Sequence, residues 1–180
     1  MNNELSTKFI FREIHPDEAD QAVSIEQTCF PPNEACSDLH MRERIKKASA
    51  EFLVAVDVKT GKLAGFLNGL PTKETVFRDE FFTDANLYDP DGDHVMLLGL
   101  DVLPQYRRQG LATELVRLYA ERESHRGRST LLLTCLKEKV EMYLKMGFQD
   151  LGLANSSWGG EEWHEMRLSW GRKNRPRRPI

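Results

Sequence analysis

Leu97-Leu98-Gly99-Leu100-Asp101-Val102-Leu103-Pro104-Gln105-Tyr106-Arg107-Arg108-Gln109-Gly110-Leu111-Ala112 is the stretch around which the rest of this chain is organised. An apolar run ends at Pro104, a short basic loop follows, and a helical pattern begins at Gly110. Read physically, this is a strand, an anion cradle and a helix. The first N–H groups of a helix have no internal partner and lie at the positive end of its dipole, so a phosphate placed there collects several hydrogen bonds. Arg107 and Arg108 add formal positive charge to the same spot.

Upstream, residues 9–14 read as a strand and 17–29 as a helix with Ala22, Val23, Ile25 and Cys29 on its buried face. Pro31 and Pro32 end that helix. Ser37 or Asp38 caps a second one running to about residue 48. Residues 52–58, apolar on both alternating faces, and 63–70 predict a strand hairpin turned at 59–62. Gly65 and Gly69 mark a close backbone approach or a bulge. Residues 71–92 make a long connection carrying Phe77, Phe81, Phe82, Leu87 and Tyr88. It reads either as a lid or binding loop, or as a surface helix near 76–84.

Downstream, Leu111, Leu115 and Leu118 predict an amphipathic helix that stops near Gly127. Residues 130–136 form the short apolar run of a buried central strand. A short helix over 137–146 ends at Gly147, and two final strands occupy 148–153 and 162–170.

With 180 residues the chain predicts one domain over 1–170. The basic, proline-containing segment 171–180 is expected to be a disordered tail. A net charge of -3 and 29% charged residues signal neither a nucleic-acid nor a membrane partner. Cys29, Cys36 and Cys135 lack the paired spacing of a zinc site, so no metal is expected, and they read as reduced thiols of a cytoplasmic protein. No secretory leader or membrane span is recognisable.

The stretch Arg107-Arg108-Gln109-Gly110-Leu111-Ala112 resembles the coenzyme A signature of the Gcn5-related N-acetyltransferases (GNAT), Gln/Arg-x-x-Gly-x-Gly/Ala. Tyr143 with Gly147-Phe148 resembles the second signature of that family, Tyr-x-x-x-Gly-Phe. The element order also agrees: strand, two helices, three strands, helix, strand, helix, two strands. Within the family, Phe30-Pro31-Pro32-Asn33-Glu34-Ala35, the opening stretch and 140–148 with Glu165-Met166 look most like the serotonin (arylalkylamine) N-acetyltransferase branch and its bacterial relatives.

The resemblance implies an α/β fold, a mixed and mostly antiparallel central sheet with helices on both faces. It implies acetyl-CoA as cosubstrate, held by Leu100, Asp101, Val102, Arg107, Arg108, Gln109, Gly110, Leu111, Ala112 and Thr113. It also implies transfer to a small or peptidic primary amine by direct attack in a ternary complex, in a monomer or homodimer. The phenol of Tyr143 is the implied proton donor to the departing thiolate. A non-catalytic acyl-CoA binding or sensing domain is the alternative. A nucleotide P-loop is disfavoured, because no Lys-Ser/Thr follows Gly110.

The two histidines that the arylalkylamine enzymes carry on the strand before the cradle are Met96 and Leu98 here. Candidate replacements as base are Glu34 and His94, followed by Glu161, Glu162 and His164. Asp101, on regular alternation, points away from the substrate. Cys135 is read as packing rather than as a nucleophile.

Overall fold

The computed structural model describes residues 3–170, so the expected tail at 171–180 lies outside the described residues. Seven strands form one sheet in the order β1-β2-β3-β4-β5-β7-β6. They are β1 (Phe9–Glu13), β2 (Phe52–Asp57), β3 (Leu63–Thr72), β4 (His94–Val102), β5 (Thr130–Leu136), β6 (Gln149–Leu153) and β7 (Trp163–Ser169). Every neighbouring pair is antiparallel except β4–β5, which is parallel. This is the expected α/β architecture.

Helices cover both faces. On one, α4 (Leu111–His125) lays Leu111, Leu115 and Tyr119 against Val95, Leu97, Leu131 and Leu133. The i, i+4, i+8 spacing puts these three on one stripe, and each is at most 1% exposed. Burial of a side chain of this size contributes about 1.5–3 kcal/mol. On the other face α2 (Ala19–Cys29) and α3 (Asp38–Ala48) bury Ala22, Ile25, Met41 and Ile45 against Phe52, Val54 and Phe66. The Ser37 hydroxyl caps α3 by accepting from the His40 amide at 3.2 Å, as the sequence indicates.

α1 (Asn3–Lys8) is a helix the sequence does not announce. Its polar composition lacks periodicity, and its one large apolar residue, Leu5, is buried in the α4-side core. Tertiary packing, not propensity, holds such a short helix. A last helix, α5 (Val140–Lys145), ends as expected at Gly147, whose φ is +95°.

The 71–92 connection contains short 3₁₀ turns at Asp79–Phe82 and Ala85–Leu87 instead of a surface helix. Phe77 and Phe81 are buried with Leu70, Met96 and Leu132. The segment is a packed wall beside β3 and β4.

Gly65 permits the close approach its position in β3 predicts: a Cβ there would overlap the Asp101 carbonyl oxygen and crowd Val102 Cα. Gly65→Ala therefore forces β3 and β4 apart, and the expected loss of stability is about 3 kcal/mol, read as a fall in the midpoint of urea unfolding.

Candidate active site

The site starts from a defect in β4. Asn68 pairs with Gly99 but Gly69 pairs with Leu97, so Leu98 is an extra residue on its strand. A bulge of this kind bends the strand and interrupts alternation. Beyond it β4 parts from β5, because the two pair only at His94↔Thr130, Val95↔Leu131 and Met96↔Leu132. The diverging ends, Leu97–Leu100 and Leu133–Leu136, line opposite sides of a cavity of about 460 Å³.

The bulge corrects the expectation that Asp101, on regular alternation, points away from the substrate. Leu100 packs in the α4-side core, whereas Leu98 packs with Met96 on the other side. Asp101 is fully buried next to Gly99 and interacts with Glu26, itself a lining residue of the cleft. It does not point away from the site.

Past its cleft-lining residues, β4 runs through a 3₁₀ turn, Pro104–Tyr106, into α4. The Tyr106 hydroxyl donates to Asp57 Oδ2 at 2.6 Å and Arg107 Nε to the Val102 carbonyl at 2.8 Å, fixing both sides of the turn. Arg108 has φ +59° and Gly110 +85°. These left-handed residues aim successive N–H groups the same way, as in an anion-binding nest. Among the described residues, the amides of Gln109, Gly110, Leu111, Ala112 and Thr113 have no acceptor, and the next, Glu114, closes the first helical bond to the Gly110 carbonyl at 3.0 Å. Arg107 and Arg108 are exposed beside them.

Tyr143 lines the cleft with Cys135. Its ring stacks edge-on against Phe148 at 5.4 Å between centroids. Burial, with the nearby Cys135 and Asp101, raises the phenol above its ordinary value, so it carries its proton at neutral pH. Burial likewise pushes the Cys135 thiol up to about 12, which leaves almost no thiolate at neutral pH.

The mouth is built from three segments tied together. Trp158 Nε1 donates to the Glu34 carbonyl at 2.9 Å and Asn33 Nδ2 to the Gly159 carbonyl at 2.9 Å. Asp79 accepts from the Ser156 hydroxyl and the Ser157 amide, and Phe82 stacks on Trp158 at 4.9 Å. Glu34 lines the cleft; partial burial, then Glu161 and Glu138, raise its carboxyl above the ordinary range.

His94 is not brought to this place. It begins β4 opposite Thr72 and Thr130, at the end of the strand remote from the cradle, and is absent from the lining of the cleft. His164 pairs with Asp150 at 3.1 Å, and Glu161 and Glu162 are exposed. Sequence reasoning missed Glu26, a buried carboxyl that lines the cleft from α2. Its signal is a charged residue on the apolar stripe of Ala22, Ile25 and Cys29.

Comparison with known families matches residues 19–148 to the acetyltransferase (GNAT) family. The chain belongs to the GNAT family. Solved structures similar to this GNAT chain include the loading GNATL domain of CurA from Lyngbya majuscula, 13% identical with a TM-score of 0.77, covering 89% of this chain and 97% of that one. The phosphinothricin acetyltransferase Pat from Sinorhizobium meliloti, in complex with AcCoA, is 14% identical with a TM-score of 0.65, over 91% and 89%. The GNAT family N-acetyltransferase YhbS from Escherichia coli, in complex with CoA, is 20% identical with a TM-score of 0.60, over 90% and 82%. A search of curated proteins returns no match.

The residues of this GNAT chain fit an acyl-CoA. The unpaired amides at the start of α4 suit a pyrophosphate. The strand edges left open where β4 leaves β5, with the buried Thr134 hydroxyl that has no partner among the described residues, suit the amides of a pantetheine arm. Among the described residues no cluster of three or more His, Cys, Asp or Glu is arranged to hold a metal, and no helix is long and apolar enough to cross a membrane.

Proposed function

We propose that this GNAT chain transfers the acetyl group of acetyl-CoA to a primary amine by direct attack in a ternary complex. One observation carries the reading: Tyr143 lines the cleft where β4 parts from β5, and β4 runs on from its cleft-lining residues Leu97–Leu100 into the donor-rich turn before α4. The cradle amides from Gln109 to Thr113, with Arg107 and Arg108, hold the pyrophosphate. Acetyl-CoA supplies an activated acyl carbon and a thiolate leaving group. Tyr143 then gives its proton to the sulfur, where a raised phenol pKa is tolerable because the thiolate emerges in the same water-poor cleft and its basicity rises too.

The mouth indicates the class of amine. Glu34 and Glu138 line it with Phe82, Trp158 and Trp163, and Glu161 lies near enough to raise the Glu34 carboxyl. Carboxylates attract a cationic substrate, and aromatic faces hold either an ammonium or a ring. An arylalkylamine, a polyamine or a peptidic amine carries those features. Relay through Cys135 is disfavoured by its protonated thiol, so the amine meets the acyl carbon directly.

Free-thiol release from acetyl-CoA, measured over a panel of arylalkylamines, polyamines, peptide amines and neutral amines, tests this reading. The expected result is saturable, amine-dependent release, faster for cationic amines, with intersecting initial-velocity lines. Parallel lines would indicate an acyl-enzyme. Tight coenzyme binding without amine-dependent turnover would make the chain a binding or sensing domain instead.

A further inference from the structure

The aromatic wall at the mouth of the cleft is fastened from inside the fold by a buried cation. Arg44 lies on the core-facing stripe of α3 with Met41 and Ile45 and is 2% exposed. A charge is rarely taken that deep unless its donors are satisfied. Arg44 finds two acceptors in different parts of the chain: Nη1 donates to Asn68 Oδ1 on β3 at 3.1 Å and Nη2 to the Phe82 backbone carbonyl at 2.9 Å. Neither acceptor is a carboxylate. The two bonds tie the last residue of the 3₁₀ turn Asp79–Phe82 to the sheet. A guanidinium presents its donors as a rigid planar fork, so it fixes its two acceptors relative to each other as an ammonium cannot.

The same turn is fastened at its other end. Asp79 accepts from the Ser156 hydroxyl and, at 3.1 Å, from the Ser157 amide. Between the ends Phe81 is fully buried, and Phe77 packs on both Phe81 and Phe82 with centroids 6.0 and 5.2 Å apart. The turn is thus a strut between the α3–β3 core and the loop that carries Trp158. What it presents to the cleft is the Phe82 ring, stacked on Trp158. Trp158 donates from its indole to the Glu34 carbonyl, and its own carbonyl accepts from Trp163 Nε1 at 2.9 Å. None of these bonds reaches the turn before α4, where Tyr106 and Arg107 are tied to Asp57 and Val102. The mouth and the cradle have separate supports.

We propose that Arg44 and Asp79 are positioning residues for the amine. By fastening the two ends of the strut they hold Phe82 and Trp158 as one rigid wall against which the amine binds. The proposal rests on the acetyltransferase reading above. A wall already ordered costs the substrate nothing to order on binding. A wall whose support is cut must be ordered at that moment, so the loss falls on amine binding and hence on KM, while proton transfer from Tyr143 is untouched. The strut also accounts for a charge on the apolar stripe of α3: no apolar side chain there could hold the Phe82 carbonyl.

The test compares Arg44→Lys, Asp79→Ala and the double variant with the wild type. KM is measured for the amine that turns over fastest in the panel above, and CoA affinity by calorimetric titration. Each single variant is expected to raise the amine KM about tenfold, as for one lost hydrogen-bonded support, with kcat and CoA affinity within about threefold. Because both act through one turn, the double variant is expected to fall well short of the product of the two effects; a full product would overturn the strut. Asp79 is only half-buried, so Asp79→Ala decides the matter should Arg44→Lys fail to fold. An unchanged amine KM in that variant, or an equal loss of CoA affinity, would overturn the proposal. A second readout needs no turnover. Hydrogen exchange of the indole N–H groups is followed by NMR in the ligand-free proteins. Exchange at Trp158 is expected to quicken about tenfold in each variant, while Trp170, whose indole donates to the Arg128 carbonyl at 2.7 Å, stays at its wild-type rate. Equal quickening at both would mean general loosening and would overturn the strut. Should no amine support turnover by the wild type, the acetyltransferase reading fails by itself, while the comparison of Trp158 with Trp170 still decides the strut.

Discussion

Tyr143→Phe is expected to lower kcat by about 100- to 10,000-fold and to change KM for acetyl-CoA by less than about threefold. The substitution deletes one oxygen and leaves the ring that packs edge-on against Phe148, so the wall of the cleft and the short helix α5 survive. On the proposed mechanism, what disappears is the proton for the sulfur as the carbon–sulfur bond breaks, an interaction made only in the transition state, and such losses fall on kcat. The phenol is raised by burial first, and by its neighbours Cys135 and Asp101 second. It therefore stays protonated through and above the neutral range, and any fall in wild-type kcat from its ionisation lies above the ordinary tyrosine value of about 10. Steady-state kinetics of the two proteins over a pH series reads both effects. A wild-type kcat in Tyr143→Phe would remove this residue from the chemistry.

Gly110→Val is expected to weaken CoA binding by at least about 100-fold. Gly110 sits at φ +85° immediately before α4, a conformation that costs a side-chain-bearing residue about 1–2 kcal/mol and a β-branched one more. The nearest atom to a Cβ there is Leu5 Cδ1 at 3.9 Å, so the effect is conformational and not steric. The turn relaxes by rotating its peptide, which takes the Gly110 and Leu111 amides out of the cradle. Each hydrogen bond to a charged phosphate contributes about 1.5–3 kcal/mol, so the loss of two exceeds a hundredfold in affinity. Calorimetric titration with CoA and, in parallel, with a pantetheine fragment lacking the pyrophosphate separates the causes: the variant loses affinity for the first and not for the second.

The sheet, the helices and the cradle were legible because each rests on local pattern. Leu111, Leu115 and Tyr119 repeat at helical spacing, residues 130–136 are mostly apolar and begin and end where β5 does, and Gly110 stands where a left-handed residue is needed. α1 was illegible because its one anchor, Leu5, acquires meaning only from the α4-side core into which it is folded. The site was legible in part. Gly and Tyr motifs pointed to the cradle and to Tyr143, but the bulge at Leu98 is a property of how β4 pairs with β3, and regular alternation misplaced Asp101 for that reason.

Two further residues carried a readable signal. Glu26 and Arg44 are opposite charges on the buried stripes of successive helices, Ala22-Ile25-Glu26 and Met41-Arg44-Ile45. Charges on such stripes are rarely buried without polar partners, and here the partners are not each other: Arg44 donates to Asn68 and the Phe82 carbonyl, and Glu26 accepts from the Cys36 amide. His94 shows the converse, since its place on the right strand said nothing of which end of that strand lines the cleft.

In a crystal structure of the protein with CoA bound, the pyrophosphate is expected on the amides of Gln109–Thr113, the pantetheine arm between Leu97–Leu100 and Leu133–Leu136, and the sulfur within hydrogen-bond reach of the Tyr143 hydroxyl. A coenzyme seated elsewhere, or a sulfur turned away from Tyr143 in an otherwise filled cleft, would contradict this placement.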